Sequence, residues 1–502
     1  MPPAAPLKVL FATPECAPLV KTGGLGDVSA ALPPALRTLG VDVRVLLPGY
    51  RAVLAEIGET KELGRASILG HDVRLLESTL PSGVPLVVLD CPALYDRDGG
   101  PYQAPDDTDW EDNALRFGVL SRAAALFGTA RSPMEWRPDV LHCNDWPTAL
   151  TPVYLAFEAG VRAATLFTIH NLAFQGIFDR GQVHPLALPA VALGLEGLEF
   201  YRRCSFLKGG LVYADAINAV SPTYAREITG EALGFGLDGV LRKRRDRLFG
   251  VLNGIDAATW NPATDTRIPR NYDAQSLDAK GENTLALRKR MGLLPRQDVP
   301  LLGMVSRLTH QKGIDILAEA ADALMALPAQ VAVVGTGDRE LVEMLRAAEA
   351  RHPGNFSVVI GFHEDLAHLL EAGADMFLMP SRFEPCGMNQ MYSQRFGTPP
   401  IANATGGLVD TVFDETRVVM TPAALAEPHP APTGFLMSDA TSDALLEAAG
   451  RAVAAWRDRD RWRALQRNGM ARDFGWTKAA GEYIEIYRRI VTPGTDPLSP
   501  KK

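Results

Sequence analysis

Two stretches of the chain share the pattern T-G-G-L-x-D. The first spans residues 22–27, directly after Lys21, and the second spans residues 405–410. Each follows an apolar run and opens a predicted helix, so its backbone N–H groups and the positive end of the helix dipole would face an anion. Glycine lets the backbone come close to a ligand, and Lys21 adds a full charge. The pattern favours a phosphate site at each stretch, with a tight turn beside a solvated lysine as the alternative for the first.

Two cations and a carboxylate follow apolar runs in the second half of the chain. Arg307 and Lys312 lie in S-R-L-T-H-Q-K-G, after a strand predicted to end near Val305. Cations on such a strand-to-helix loop suit a diphosphate leaving group, and a solvated basic loop is the alternative. Glu384 lies in S-R-F-E-P-C-G, just before a predicted helix, where it would either hold sugar hydroxyls or cap the helix.

Asp145, in H-C-N-D-W, and His170, in T-I-H-N, each follow a predicted strand of the first half. Ligands of doubly wound sheets bind at the carboxyl ends of the strands, so we expect both residues to approach one site. A single histidine is more often a structural residue. Their shared position at strand ends therefore carries the argument.

Two other motif matches are set aside. The G-x-G-x-x-G of residues 234–239 has no predicted strand before it, which argues against a dinucleotide site. His363 and His368 are separated by five positions, whereas two zinc ligands on one helix face need a separation of four. No metal site is predicted.

The elements that position these residues repeat one scheme of a short apolar run, a Gly- or Pro-marked turn and an amphipathic helix. Apolar strands without polar alternation, separated by helices, indicate parallel sheets covered on both faces. The predicted strands are residues 8–13, 41–48, 85–90, 139–144, 164–170, 216–220, 300–305, 330–335, 356–360, 375–380 and 399–403. The predicted helices include residues 26–39, 147–159, 313–326, 338–350 and 386–396. The predicted fold class is α/β, with two Rossmann-like doubly wound domains.

The domain boundaries follow from turn residues and from the last helix. Residues 253–265 are rich in turn formers and predict a linker. We expect a first domain at residues 1–255 and a second at 256–477. The helix at 478–492 is expected to cross back onto the first domain, because it carries an apolar face. That face consists of Ala480, Tyr483, Ile484 and Tyr487.

Composition limits the class of protein. The chain has 502 residues, which points to at least two domains, and 47% hydrophobic with 22% charged residues is typical of a globular protein. A net charge of -8 argues against a nucleic-acid partner. The five cysteines are scattered and odd in number, which favours a reducing compartment. Neither a membrane-length apolar run nor a signal peptide is recognised, so no membrane association and a cytoplasmic location are expected.

Eight motifs together carry a family resemblance that covers nearly the whole chain. They are K-T-G-G-L-G-D-V, H-C-N-D-W, I-H-N-L-A-F-Q-G, G-L-D-G-V-L, V-L-N-G-I-D, S-R-L-T-H-Q-K-G, S-R-F-E-P-C-G and A-T-G-G-L-V-D-T-V. In this order they resemble the bacterial glycogen synthases and the plant starch synthases. The resemblance implies a GT-B fold with the active site in the cleft between its domains. It also implies transfer of glucose from ADP-glucose to the non-reducing-end 4-hydroxyl of an α-1,4-glucan such as glycogen, with retention of configuration and without a metal or other cofactor.

The resemblance also implies roles for individual residues. Glu384 would hold the glucose hydroxyls and support the positive charge at the anomeric carbon, and the backbone carbonyl of His170 would lie near that carbon. Arg307 and Lys312 would neutralise the leaving diphosphate, with Asp145 as a further catalytic residue. The donor-binding residues implied are Lys21, Gly24, Asp27, Asn171, Asn253, Phe362, Cys386, Gly387, Gly406 and Gly407. Tyr95, in A-L-Y-D-R-D-G-G-P-Y, would contact the acceptor, with a surface-loop aromatic as the alternative.

Some positions depart from the family pattern. Many relatives place a tyrosine against the adenine where this chain has Phe362, which keeps the stacking face and loses the hydroxyl. Relatives often carry an arginine before the second T-G-G-L, where Asn403 and Ala404 stand here. The residues after E-P-C-G differ as well, at Met388, Asn389 and Met391. Two alternative functions stay open, a related GT-B glucosyltransferase that uses UDP-glucose and a glucan-binding protein without catalysis.

Overall fold

A computed structural model describes residues 6–361, 363–416 and 430–491 of the chain. The chain divides into two compact units. Unit 1 comprises Met1–Gly254 and Trp476–Lys502, and unit 2 comprises Ile255–Gly475. The first boundary lies within the segment 253–265 that was predicted as a linker.

The strands of unit 1 build a mainly parallel sheet around the first apolar run. Along the sheet the order is β12-β11-β7-β6-β1-β2-β5-β4-β3. Its members are β1 (Lys8–Ala12), β2 (Asp42–Pro48), β3 (Lys61–Ile68), β4 (His71–Thr79), β5 (Pro85–Asp90), β6 (Val140–Asn144), β7 (Ala164–Ile169), β11 (Ala216–Ala219) and β12 (Leu248–Gly250). A small antiparallel sheet holds β8 (Ile177–Phe178), β9 (Glu199–Phe200) and β10 (Arg203–Ser205). The central strands are buried on both faces, as the uninterrupted apolar runs predicted.

One edge of this sheet departs from the predicted parallel arrangement. Strands β3 and β4 form an antiparallel hairpin, and β4 pairs antiparallel with β5. The hairpin was not predicted, because its strands alternate polar and apolar residues, as those of a half-exposed edge do. Its turn also starts with a non-glycine residue at positive φ, Leu69 at 50°, followed by Gly70 at 80°.

Helices cover both faces of the unit 1 sheet, and the last helix of the chain is one of them. Those from the first half are α1 (Gly24–Thr38), α2 (Arg51–Glu56), α3 (Pro92–Tyr95), α4 (Asn113–Phe127), α5 (Leu150–Ala156), α6 (Arg180–Val183), α7 (Phe206–Tyr213), α8 (Pro222–Glu227) and α9 (Asp238–Lys243).

Unit 2 is a second parallel sheet, in the order β15-β14-β13-β16-β17-β18. Its strands are β13 (Leu301–Leu308), β14 (Gln330–Gly337), β15 (Phe356–Ile360), β16 (Met376–Met379), β17 (Pro400–Asn403) and β18 (Phe435–Met437). Its helices are α10 (Lys280–Arg290), α11 (Ile314–Ala326), α12 (Arg339–Arg351), α13 (Glu364–Gly373), α14 (Asn389–Arg395), α15 (Gly406–Thr411), α16 (Ser442–Arg457) and α17 (Arg459–Met470). Helix α14 begins three residues later than the predicted start at Cys386.

The final helix, α18 (Trp476–Val491), packs on unit 1 as predicted. The four residues of its predicted apolar face are all buried. The Tyr487 hydroxyl lies 2.7 Å from Nδ1 of His142 on β6. Asn218 on β11 donates a hydrogen bond of 2.9 Å to the Tyr483 hydroxyl. These polar contacts fix the helix against the carboxyl half of the sheet.

The strand orders define where ligands would bind. In unit 1 the chain order reverses between β1 and β6, and in unit 2 it reverses between β13 and β16. Such a switch point opens a crevice at the carboxyl ends of the two strands, where open α/β sheets bind their ligands. The segments that follow these four strands carry several of the predicted site residues, among them Lys21, Asp145, Lys312 and Glu384. Within the described residues, no helix is long and apolar enough to cross a membrane.

Candidate active site

The first T-G-G-L stretch follows β1 and leads into α1. Helix α1 begins at Gly24, which is exposed. Lys21 Nζ lies 2.7 Å from Oδ1 of Asp27, so the ion pair spans the turn. A Cβ at Gly26 would lie 3.0 Å from Cγ of Lys21, so a larger residue there would press on the Lys21 side chain. The N–H groups at the start of α1 are the donors that would face an anion, whereas the Lys21 charge is paired with Asp27. The phosphate site at this turn stays a prediction.

The buried carboxylate of Glu15, which was not among the predicted site residues, is hydrogen-bonded to the backbone of this turn. Oε2 of Glu15 accepts hydrogen bonds from the backbone N–H groups of Thr22 at 2.6 Å and Gly23 at 3.1 Å. Its Oε1 accepts one of 2.6 Å from the Tyr102 hydroxyl. Glu15 is only 4% exposed, and this burial raises the pKa of its carboxyl. A signal for it was present, since T-P-E follows the first strand directly.

Asp145 and His170 meet at the carboxyl ends of β6 and β7. Oδ1 of Asp145 accepts the backbone N–H of His170 at 2.7 Å and that of Asn171 at 3.4 Å. Asp145 has a φ of 55°, an uncommon value for a non-glycine residue and one often found at functional sites. Burial raises the pKa of Asp145 to about 7, although the two backbone donors oppose the rise. The carboxylate therefore orients the backbone that carries His170.

The ring of His170 has a defined tautomer. Its Nε2 lies 3.0 Å from Oδ1 of Asn144, whose amide nitrogen donates to the Ala12 carbonyl. With that amide so oriented, Oδ1 is an acceptor, and Nε2 of His170 carries the proton. Burial lowers the pKa of His170 to about 3. At neutral pH the ring is thus uncharged.

Asn253 precedes the boundary between the units and is 6% exposed. Its Oδ1 is buried and has no hydrogen-bond partner among the described residues. Buried polar atoms are nearly always paired, so an orphan of this kind is compatible with a ligand contact.

In unit 2 the residues that follow β13 and β16 form an ion pair. Nζ of Lys312 lies 2.6 Å from Oε2 of Glu384, with side-chain exposures of 18% and 6%. Ser381 donates a further hydrogen bond of 3.1 Å to the same oxygen. Gly313 allows this approach, because it has a φ of 69° and a Cβ there would overlap the carbonyl oxygen of Pro380. The pair joins a cation suited to a diphosphate with a carboxylate suited to sugar hydroxyls.

A second contact holds the same two segments together. The guanidinium of Arg382 makes two hydrogen bonds of 2.7 Å with the carboxylate of Asp315, at the start of α11. The backbone N–H of Arg382 also donates to the carbonyl of Gln311 at 2.9 Å. A bidentate arginine pair fixes geometry as well as distance. The two segments that carry Lys312 and Glu384 are thus held together by contacts other than the pair itself.

The second T-G-G-L stretch packs against the backbone beside Glu384. Gly406 has a φ of 49°, and a Cβ there would overlap the carbonyl oxygen of Glu384. A Cβ on Gly407 would overlap the carbonyl oxygen of Cys386, and the Gly407 N–H donates to Glu384 O at 3.0 Å. Gly387 also has a positive φ, 68°. These glycines are therefore needed for backbone packing, a role the first copy does not share.

Arg307 does not lie in the predicted loop. Strand β13 continues to Leu308, since its register with β14 extends over the whole strand, so Arg307 is a strand residue near the carboxyl end. Its side chain is exposed and has no ion pair within the described residues. It remains available to an anion at this edge.

The prediction that Tyr95 contacts the acceptor is not supported by its position. Tyr95 ends α3 and is 1% exposed, and its hydroxyl donates to the backbone carbonyl of Arg116 at 2.7 Å. A ring enclosed in this way has no surface to offer a glucan, and it is not a surface-loop aromatic either. The packing around Arg116, which the sequence pattern could not reveal, draws it into the core. Phe362 lies outside the described residues.

The described residues can also be compared with the requirements of a metal site. Over residues 6–361, 363–416 and 430–491, no group of three or more His, Cys, Asp or Glu side chains is arranged to hold a metal ion. The expectation that no metal or other cofactor is needed stays a prediction.

Comparison with known proteins identifies the family. The family model for the starch synthase catalytic domain matches residues 8–243, and the one for glycosyl transferases group 1 matches residues 288–467. Glycogen synthase of Aromatoleum aromaticum is 54% identical over 486 residues, which cover 96% of this chain and 97% of that relative. The chain belongs to the glycogen synthase family. Glycogen synthase of Nitrosomonas eutropha is 51% identical over 500 residues, covering 98% of each.

Solved structures agree with this membership of the glycogen synthase family. The catalytic domain of starch synthase IV from Arabidopsis thaliana, bound to ADP and acarbose, has a TM-score of 0.84 and 30% identity. The match covers 97% of this chain and 99% of that one. The predicted GT-B fold class and the family resemblance are confirmed, and the chain is a glycosyltransferase.

Proposed function

We propose that this glycosyltransferase moves glucose from ADP-glucose to the 4-hydroxyl at the non-reducing end of an α-1,4-glucan, with retention of configuration. Two things support the proposal besides the geometry. The relatives named glycogen synthase match over nearly their full lengths, and the similar starch synthase IV domain was solved with ADP bound. The observation that carries it is the 2.6 Å ion pair between Lys312 and Glu384 at the switch point of unit 2.

Unit 2 is proposed to act on the diphosphate and the glucose of the donor. As the bond from the anomeric carbon to the diphosphate breaks, negative charge grows on the leaving group and positive charge on the sugar ring. Lys312 and Arg307 would stabilise the first and Glu384 the second, each with a preorganised charge. In this proposal the Lys312–Glu384 pair, 2.6 Å apart, would set charges of opposite sign beside the two developing charges.

Unit 1 is proposed to bind the diphosphate with its first T-G-G-L turn and to receive the acceptor near His170. The N–H of Gly24 and the ammonium of Lys21 would bind phosphate oxygens. The attacking hydroxyl would donate to the His170 carbonyl, which Asp145 orients by accepting the backbone N–H groups of His170 and Asn171. Asn171 and Asn253 would supply amide contacts to the donor.

No metal is invoked, because Lys21, Arg307 and Lys312 supply positive charge for the diphosphate. This metal independence, the cytoplasmic location and the absence of nucleic-acid partners remain predictions from the sequence. The glucan partner is proposed on the strength of the family.

The experiment is glucose incorporation into glycogen from ADP-glucose and from UDP-glucose, measured side by side with a metal chelator present. Incorporation from ADP-glucose alone is the expected result. A preference for UDP-glucose would overturn the donor assignment and direct attention to Asn403, which stands where many relatives carry arginine. Incorporation from neither donor would favour a glucan-binding protein, and restoration by added Mg²⁺ would overturn metal independence.

A further inference from the structure

Glu15 has no role assigned by the family resemblance, yet it bonds to the candidate donor turn. Its Oε2 accepts the N–H groups of Thr22 and Gly23, the two residues that precede α1. Its Oε1 accepts the hydroxyl of Tyr102, at a sequence separation of 87. One carboxylate thus joins the turn to a distant segment of unit 1.

Tyr102 is itself held in place by hydrogen bonds to its backbone and by ring packing. The Tyr102 carbonyl accepts the backbone N–H of Trp110 at 3.0 Å and the side-chain amide of Asn113 at 2.8 Å. The neighbouring Pro101 carbonyl accepts the buried guanidinium of Arg116 at 2.8 Å. The Tyr102 ring packs against Trp146, with centroids 6.0 Å apart. Glu15 is therefore hydrogen-bonded to a tyrosine whose position is fixed by its neighbours.

The stability of the fold does not explain why a carboxylate is buried at position 15. No cation among the described residues pairs with Glu15, so its burial costs free energy, and Asp27 and Asp145 add like charge. The three hydrogen bonds offset part of that cost. What they achieve geometrically is to fix the two N–H groups before α1. The next two N–H groups, of Gly24 and Leu25, then lie at the helix start with no acceptor among the described residues.

We infer that Glu15 and Tyr102 are positioning residues that hold the first T-G-G-L turn in the shape that binds the donor diphosphate. The inference rests on the proposed function of Lys21 and Gly24. It assigns neither residue a contact with substrate. Loosening the Glu15–Tyr102 bond should therefore weaken donor binding while leaving acceptor binding unaffected.

Tyr102→Phe is the variant that tests this, with Tyr50→Phe as its matched control. Tyr50 is also a buried tyrosine of unit 1, 6% exposed, but its hydroxyl has no partner among the described residues. For Tyr102→Phe we expect KM for ADP-glucose and Kd for ADP to rise about tenfold, because the substitution removes one hydrogen bond to a charged group. KM for glycogen should stay within twofold. Tyr50→Phe should leave all three constants unchanged.

Substitution of Glu15 separates geometry from charge. Glutamine can still accept both N–H groups and donate to Tyr102, so Glu15→Gln should keep KM for ADP-glucose within about threefold of the wild type, whereas Glu15→Ala should raise it at least as much as Tyr102→Phe. Should Glu15→Ala fail to fold, Tyr102→Phe decides alone.

Two outcomes would overturn the inference with the enzyme still active. One is equal donor constants in Tyr102→Phe and Tyr50→Phe. The other is tighter donor binding in Glu15→Gln, which would make Glu15 a resident anion that competes with the diphosphate. A wild-type protein that neither binds ADP nor transfers glucose would instead overturn the proposed function and the inference with it.

Discussion

Lys312 and Glu384 are 72 residues apart in sequence, and their side chains meet at 2.6 Å. They meet because β13 and β16 are neighbours at the point where the strand order of unit 2 reverses. Each residue follows its strand within a few positions, so the sheet alone brings the cation and the carboxylate to one edge. The arrangement needs no long loop to form it.

Removal of the Glu384 carboxylate should abolish transfer without abolishing nucleotide binding. Glu384→Ala is expected to lower kcat by about 10²–10³-fold or more, since it removes preorganised charge from the transition state. ADP titrated calorimetrically should still bind, because the proposed diphosphate contacts remain. Glu343→Ala, on the exposed face of α12, is the control and should keep full activity. An active Glu384→Ala enzyme would contradict the assigned role.

Lys21→Gln should weaken donor binding and leave the fold intact. Lys21 is 42% exposed and its pairing with Asp27 is a surface ion pair, which contributes about 0–1 kcal/mol to stability. Steady-state kinetics should show KM for ADP-glucose increased about tenfold, with the melting temperature nearly unchanged. Lys243→Gln, which also removes an exposed ion-paired lysine of unit 1, serves as the control. If the two variants had equal KM values, Lys21 would be an ordinary surface residue.

The raised pKa of Asp145 predicts a pH-dependent stability. The unfolded chain loses this proton near pH 4, whereas the folded protein keeps it up to about 7. The unfolding free energy of the wild type should therefore decrease between these pH values on account of Asp145. Asp145→Asn has no carboxyl to titrate and so lacks this decrease. From pH 4.5 to pH 8, the unfolding free energy of the variant minus that of the wild type should therefore rise by about 1–4 kcal/mol. Urea unfolding at both pH values measures it, with exposed Asp72→Asn as the control. Parallel pH profiles for wild type and Asp145→Asn would refute the assignment.

Gly406→Ala should disturb the segment that carries Glu384. The residue has a φ of 49° and abuts the Glu384 carbonyl, so alanine there meets both strain and overlap. We expect a loss of stability of about 1–3 kcal/mol together with a fall in kcat. Gly450→Ala is the matched control, because nothing lies within 4 Å of a Cβ at this position in α16 and alanine favours the helix. Full activity of Gly406→Ala would show that the close approach is not needed.

Periodicity and turn residues were enough to predict the elements that carry the site. Asp145, His170 and Lys312 lie just beyond buried strands, as their motifs indicated, and Lys21 lies in the segment between β1 and α1. Strand order could not be read from the sequence, because it depends on which apolar strands pair, and every central strand looks alike. The switch points therefore appeared only in the structure.

Burial of individual side chains was the second limit. The segment 93–102 contains two tyrosines. Tyr95 was singled out, although Tyr102 is the one bonded to Glu15, the carboxylate that holds the donor turn. Arg116 explains the difference. Its guanidinium donates to the backbone carbonyls of Leu94 and Pro101, and its own carbonyl accepts the Tyr95 hydroxyl, so Tyr95 is held in the core. A buried arginine of this kind resembles any helix-surface arginine in a sequence.

The docking of α18 on unit 1 has a consequence for biosynthesis. This helix, with Tyr483 and Tyr487 buried against the sheet, leaves the ribosome only after all of unit 2 has been made. At about 5–20 residues per second, translation of the intervening segment takes roughly 10–40 s. During that interval the groove of the nascent first unit that receives the apolar face of α18 lacks this helix, so we expect unit 1 to complete its fold only after α18 has been translated.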